Sequence, residues 1–269
     1  MTTKLDLRSQ KQIMSKKLSS NPFHLYNDYY DLLYQDKDYG KEADYITNII
    51  TQYNPQTKDI IELGSGTGNY SSHLCNKGFR ITGIEQSKHM HQISKEKNIT
   101  GFDPIVDDIA HFEIDKTFDV AVSLFHVISY LTDNEQLISC FKKVSTHLKA
   151  NGIFIFDVWY TPAVYSVTPQ PRVKKVENDL FEITRHADPV VDYQKNIVQV
   201  NYEMIIKNKE TDEYELLKEA HIMRHFSTPE IELFASLSGL KVLGSEEFLS
   251  SRAPSSDTWG VCYILQKHD

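Results

Sequence analysis

The pattern of apolar and polar positions changes twice along this chain. Between residues 59 and 159, short apolar runs alternate with stretches of helical period. Residues 59–63, 80–84, 104–106, 118–124 ("FDVAVSL") and 152–159 ("GIFIFDVW") read as strands, and most lack polar alternation, as strands buried on both faces do. Residues 69–77, 87–96 and 134–149 read as helices. The last has Leu137, Cys140, Phe141, Val144 and Leu148 on one side. Strands alternating with helices predict a parallel, doubly wound α/β sheet.

On either side the pattern differs. Upstream, Ala43, Ile46, Ile49 and Ile50 make the apolar face of a helix over 41–52, and Tyr26, Tyr30 and Tyr34 recur at a four-residue spacing that forms one stripe on a helix. Residues 1–21 are polar and aperiodic, which predicts a mobile arm ahead of a domain spanning 22–269. Downstream, Pro169 and Pro171 mark a boundary. From about 170 to 226 the text becomes a series of antiparallel strands: "RVKKVE", "DLFEITRHA", "NIVQVNYEMIIK" and "YELLKEAHIMRHF". This β-rich insertion is expected to cover a face or an edge of the parallel sheet. A helix over 228–238 and a last strand, "WGVCYILQ", return to the α/β body.

Composition narrows the class without choosing a function. The net charge is −8, and a nucleic-acid binder more often carries a basic face, so no nucleic-acid partner is expected. Cys75, Cys140 and Cys262 are far apart and form no Cys-x-x-Cys pair, so neither a zinc site nor a disulfide framework is expected. The first 20 residues are too polar for a signal peptide, and no run of about 18 apolar residues occurs. A cytoplasmic protein with no membrane partner and no metal is the expectation.

Candidate chemistry begins at "DIIELGSGTGNY". The dinucleotide fingerprint Gly-x-Gly-x-x-Gly, begun at Gly64, needs glycine at 69, and Asn69 stands there. What the chain carries is Glu62-x-Gly64-x-Gly66-x-Gly68. Bare backbone after a strand brings N–H groups close to a ligand, and the next helix adds its positive N-terminus. Glu85 follows at the end of the next strand, 17 positions after Gly68. A carboxylate there can accept both hydroxyls of a ribose. "PIVDDIAHF" then supplies Asp108, an acceptor for the adenine amine, and Ile109, whose backbone can approach the ring.

In the order and spacing of "IIELGSGTG", "GIEQS", "VDDIAHF", "FDVAVSLFHVISYL" and "NGIFIFDVW", residues 22 to 160 resemble the class I S-adenosylmethionine-dependent methyltransferases. The resemblance implies a Rossmann-like sheet of seven strands with an antiparallel last strand. It implies S-adenosyl-L-methionine as cofactor, cradled by Gly64, Ser65, Gly66, Thr67 and Gly68. Glu62 would lie near the methionine amino group; a strand-end acid satisfied by backbone is the other reading. Glu85 with Gln86 would take the ribose, Asp108 and Ile109 the adenine, and Leu124 would line the same site.

More diffusely, "YYDLLYQDKDYGKEADYI", "FDVWYTPAVY" and "HIMRHFSTPEIELFASLSGL" are similar to the amino-sugar N,N-dimethyltransferases of macrolide pathways, and the chain is also similar to methyltransferases associated with bacterial surface polysaccharide. That similarity implies that Tyr30 and Tyr34 cover the cofactor and that the inserted strands help to bind a nucleotide-linked sugar. The amine of such a sugar is the leading acceptor; a saccharide hydroxyl, or a cofactor-binding protein without turnover, are the alternatives. Those enzymes can carry a histidine at the position of Tyr130, whereas here His126 stands four residues earlier. His126 is the candidate base or acceptor-orienting group, with a packed helix-start histidine as the other reading; Tyr130 is second, against a packed aromatic anchor. Trp159, Tyr160, Arg224 and Trp259 are candidates for the acceptor pocket, with packing or a surface ion pair as their ordinary alternatives. A homodimer built on the insertion is a further expectation.

Overall fold

The computed structural model describes residues 13–19 as backbone and residues 29–268 in full. The chain divides into two compact units. One comprises residues 37–168, 193–197 and 223–269; the other comprises 1–36, 169–192 and 198–222.

The larger unit is the α/β body. In chain order its elements are α2 (Tyr39–Tyr53), β2 (Asp59–Leu63), α3 (Asn69–Asn76), β3 (Arg80–Glu85), α4 (Lys88–Glu96), β4 (Phe102–Val106), β5 (Phe118–Ser123), α5 (Asn134–His147), β6 (Leu148–Trp159), α6 (Thr161–Ser166), α7 (Thr228–Leu237), β11 (Leu240–Glu247) and β12 (Gly260–Lys267). The sheet order is β11-β12-β6-β5-β2-β3-β4. β2 runs parallel to β3 and β5, β3 to β4, and β5 to β6, while β12 is antiparallel to both β6 and β11. This is the expected doubly wound sheet with its antiparallel last strand. Two cores flank it. Phe112, Phe118, Phe141, Phe154, Phe156 and Tyr263 dominate one, and Ile46, Ile50, Ile60, Ile81, Ile153 and Ile155 the other.

The local signals behave as their chemistry requires. α2 opens on Asp38, whose carboxylate accepts the Lys41 N–H at 2.9 Å, and it buries the expected face of Ala43, Ile46, Ile49 and Ile50. α7 opens on a capping box of Ser227 and Glu230. Cys140 and Cys262 are buried free thiols in the core. β11 had no clear sequence signal. It is an edge strand buried only at Leu240, with a register shift between Val242 and Gly244 that breaks its alternation.

The smaller unit holds β1 (Ile13–Ser19), α1 (Tyr30–Leu33), β7 (Arg172–Glu177), β8 (Phe181–Asp192), β9 (Ile197–Asn208) and β10 (Tyr214–Arg224); the ends of β9 and β10 reach into the residues of the larger unit. Its order is β1-β10-β9-β8-β7. Rather than extending the parallel sheet, the insertion forms a sheet of its own around Leu33, Val176, Ile183, Met204, Ile206 and Leu217. Residues 13–19, read from sequence as part of an arm, form β1 parallel to β10. The rest of that arm, and Tyr26 of the tyrosine stripe, lie outside the described residues. α1 itself spans four residues, with the Tyr30 and Tyr34 rings 4.9 Å apart. Among the described residues, no helix is long and apolar enough to cross a membrane.

Candidate active site

In an open parallel sheet, ligands bind beyond the carboxyl ends of the strands, where the strand order reverses. Here β2 is flanked by β3 on one side and β5 on the other, so the reversal falls between β2 and β5. The glycine loop follows β2, and the loop of Phe125 and His126 follows β5. The two loops touch: a Cβ added to Gly64 would lie 2.6 Å from Val127 Cγ1. Gly64 also has φ of +70°, so packing and backbone both demand glycine there. Gly66 is different. A Cβ there would meet nothing nearer than Met90 Sδ at 4.0 Å, so its bareness leaves the loop surface open instead of relieving a clash.

Glu85 ends β3 beside this loop. Its carboxylate accepts the Gly66 N–H at 2.8 Å and the Ser87 N–H at 2.7 Å. Burial raises its pKa, and those backbone donors oppose the rise. Two oxygens anchored by backbone leave lone pairs for further donors, as a diol requires. Glu62, one residue before the end of β2, is 1% exposed and accepts the Ser71 hydroxyl. Burial pushes its carboxyl up to about 8, with the Glu85 charge adding and the Ser71 bond opposing. A cation brought beside it would reverse that shift. Gln86 follows Glu85 directly. After β4, Asp108 Oδ1 accepts the Ala110 N–H at 2.7 Å and the backbone turns there, with the His111 and Phe112 N–H groups donating to Asp108 O. Ile109 packs on the core from that turn, and Leu124 is buried just past β5.

Phe125 and His126 have φ of +68° and +61°. Two consecutive left-handed residues without glycine cost about 1–3 kcal/mol each and persist only where surroundings hold them. The holder is Asp157 on β6. Its Oδ1 accepts the His126 N–H at 3.2 Å, and its Oδ2 stands 2.6 Å from His126 Nδ1. The Trp159 ring lies 6.0 Å from the imidazole and 6.5 Å from the Trp259 ring. The Tyr160 N–H donates to Trp259 O at 3.0 Å. Tyr130 closes the 3-10 turn Val127–Tyr130, partly buried.

The remaining candidates have contacts of their own. Arg224 braces helix starts: its guanidinium donates to Asn134 Oδ1 at 2.7 Å and pairs with Glu230 of the α7 capping box. Tyr30 and Tyr34 belong to the smaller unit, where Arg185 Nη1 donates to Tyr34 Oη at 3.2 Å. Sequence reasoning missed two groups. Asp157 was visible as the one charge inside "GIFIFDVW". The chain Lys37–Glu42–Tyr70 was signalled by Glu42, an acid on the apolar stripe of α2; it pairs with Lys37, whose Nζ lies 4.4 Å from the Phe125 ring centroid, and accepts the Tyr70 hydroxyl.

Residues 60–152, which span β2 to the start of β6, match a family model described as a methyltransferase domain. By that match, this segment of the chain carries a methyltransferase domain. Over 217 residues it is 23% identical to the dTDP-3-amino-3,4,6-trideoxy-alpha-D-glucopyranose N,N-dimethyltransferase of Streptomyces venezuelae, a match covering 80% of this chain and 90% of that protein. Among solved structures it is similar to an S-adenosylmethionine-dependent methyltransferase from Clostridium acetobutylicum, with a TM-score of 0.76, 23% identity, and 91% of this chain and 98% of the other covered. It is also similar to an S-adenosylmethionine-bound amino pentose methyltransferase from Micromonospora echinaspora, with a TM-score of 0.73, 15% identity, and 93% and 99% covered. The S-adenosylmethionine-dependent class and its cofactor, read from the motifs, agree with these matches.

Proposed function

We propose that the methyltransferase moves the methyl group of S-adenosylmethionine to the amine of a nucleotide-linked amino sugar. The observation that carries the cofactor half is Glu85, a buried carboxylate held by the Gly66 and Ser87 N–H groups at the edge of an open glycine loop. Gly64 to Gly68 cradle the methionine part, with Glu62 beside its ammonium; Glu85 and Gln86 hold the ribose, and Asp108, Ile109 and Leu124 the adenine. The cofactor, when bound, supplies an electrophilic methyl on a sulfonium. The protein's task is then to bring a neutral nucleophile into line with it. His126, with Tyr130 as second candidate, takes or orients the acceptor's proton, and Trp159, Tyr160 and Trp259 wall the acceptor.

The amine is favoured over a hydroxyl by the relatives, one named as the N,N-dimethyltransferase of a dTDP-linked 3-amino sugar and another as an amino pentose methyltransferase. A saccharide hydroxyl is the second reading, because a histidine on the loop after β5 serves the deprotonation that an alcohol needs. The test is release of S-adenosylhomocysteine with a dTDP-linked 3-amino sugar and with its 3-hydroxy counterpart. Turnover of the amine alone supports the proposal. Turnover of the hydroxyl alone replaces it with O-methylation.

A further inference from the structure

Asp157 sits where a carboxylate is expensive. It is 1% exposed, and its β6 neighbours Ile155, Phe156 and Val158 are fully buried. Across the sheet it faces Cys262 of β12, whose thiol is pushed up by burial and by the Asp157 charge. An apolar residue would suit such surroundings better unless the charge has a partner that repays its desolvation. Both its oxygens converge on one residue: Oδ1 on the His126 N–H and Oδ2 on His126 Nδ1. The side chain of His126 keeps 22% exposure, while Nδ1 is buried and meets Asp157 Oδ2 at ion-pair distance without the angle of a hydrogen bond, so the exposed part of the ring lies away from Asp157.

We propose that Asp157 is the positioning residue of the methyl-transfer site, fixing His126 as the Nδ1–H tautomer so that Nε2 offers its lone pair to the acceptor's proton. This rests on the methyl-transfer reading above. The carboxylate holds backbone and ring together, which also explains how a histidine is kept in the left-handed region beside an equally left-handed Phe125. In the step it serves, the acceptor nitrogen forms its bond to the methyl carbon as the carbon–sulfur bond breaks and that electron pair passes to sulfur. The proton shed by the new ammonium goes to Nε2, and the charged imidazole is stabilised through Nδ1–H by Asp157.

The tautomer can be read directly by nitrogen-15 NMR of histidine-labelled protein. Signals of His126 are identified by their loss in His126→Asn, since asparagine tolerates the left-handed backbone. The proposal expects a protonated Nδ1 and a bare Nε2 in the wild type, and the reverse in Asp157→Asn, whose amide donates to Nδ1. It further expects Asp157→Asn to lower kcat on the dTDP-linked 3-amino sugar by roughly 10- to 100-fold, with KM for S-adenosylmethionine unchanged within about twofold. A purely structural acid would move both constants or neither. A wild-type His126 protonated on Nε2 overturns the inference, and so does an Asp157→Asn variant of wild-type kcat. Calorimetric titration separates this from the underlying reading: folded wild type that fails to bind S-adenosylmethionine overturns methyl transfer itself, whichever tautomer His126 adopts.

Discussion

β2 of the seven-stranded sheet is buried at all five positions, whereas β8 of the five-stranded sheet is fully buried at one of twelve, Ile183. The contrast follows from what covers each strand. Central parallel strands carry helices on both faces and have no polar side. The smaller sheet packs one face on a small apolar cluster and leaves the other to charged pairs such as Lys207–Asp212, Lys209–Glu177 and Lys218–Glu203. Acids are therefore handled differently in the two sheets. In the small sheet Glu219, paired with His221, is the buried acid and the other strand acids are exposed or half-exposed; in the large one Glu62, Glu85 and Asp157 are buried at or near the carboxyl ends of strands, where only a neighbour or a ligand can repay them.

The contrast can be broken first through the cores. Phe156→Ala, at the centre of the ring cluster with Phe141, Phe154 and Tyr263, should cost about 3–5 kcal/mol in denaturant unfolding. Ile183→Ala in the smaller cluster should cost less, about 2–3 kcal/mol. Equal losses would mean that the small sheet is packed as fully as the large one.

Next comes Gly64→Ala. The new Cβ would stand 2.6 Å from Val127 at a φ of +70°, so about 2–3 kcal/mol of stability and measurable binding of S-adenosylmethionine should both be lost. Gly66→Ala, strained by a φ of +55° but free of a clash, should cost less stability than Gly64→Ala, about 1 kcal/mol, while weakening binding.

A pH-dependent effect concerns Glu62. Its carboxyl titrates near 8 in the fold against about 4.5 when unfolded. The folded state therefore holds the proton longer, and stability falls as pH rises from about 4.5 to 8, by an amount of order a few kcal/mol. Glu62→Gln should flatten that slope and be the more stable protein at pH 8, yet bind S-adenosylmethionine less tightly. A pH–stability curve unchanged by the substitution would contradict this. The least effect should come from Lys209→Ala on the small sheet, which removes an exposed pair with Glu177 and should leave the unfolding midpoint where it was.

The same contrast governs what could be read from sequence. β2, β5 and the core of β6 announced themselves because continuous Ile, Val and Phe runs admit little else, and their order placed the glycine loop at the reversal point. The long strands β8, β9 and β10 were legible from two-residue alternation. β11 was not, because edge exposure and a register shift dilute the period. Within the site, Glu62, Glu85 and the glycines were legible because each is tied to a strand end. His126 was visible as a residue type in the loop after β5, but its link to Asp157 was not, since the two lie 31 positions apart and meet only through the pairing of β5 with β6. The partners of Arg224 were likewise hidden, because Asn134 and Glu230 come to it from two other elements.

The account rests on the glycine loop and Glu85 holding S-adenosylmethionine. Calorimetric titration of the folded protein with S-adenosylmethionine and, separately, with NAD, repeated on Glu85→Ala, tests this most directly. The prediction is saturable binding of S-adenosylmethionine by the wild type, none of NAD, and loss of binding in the variant. Folded wild type that takes up NAD, or neither ligand, would contradict it.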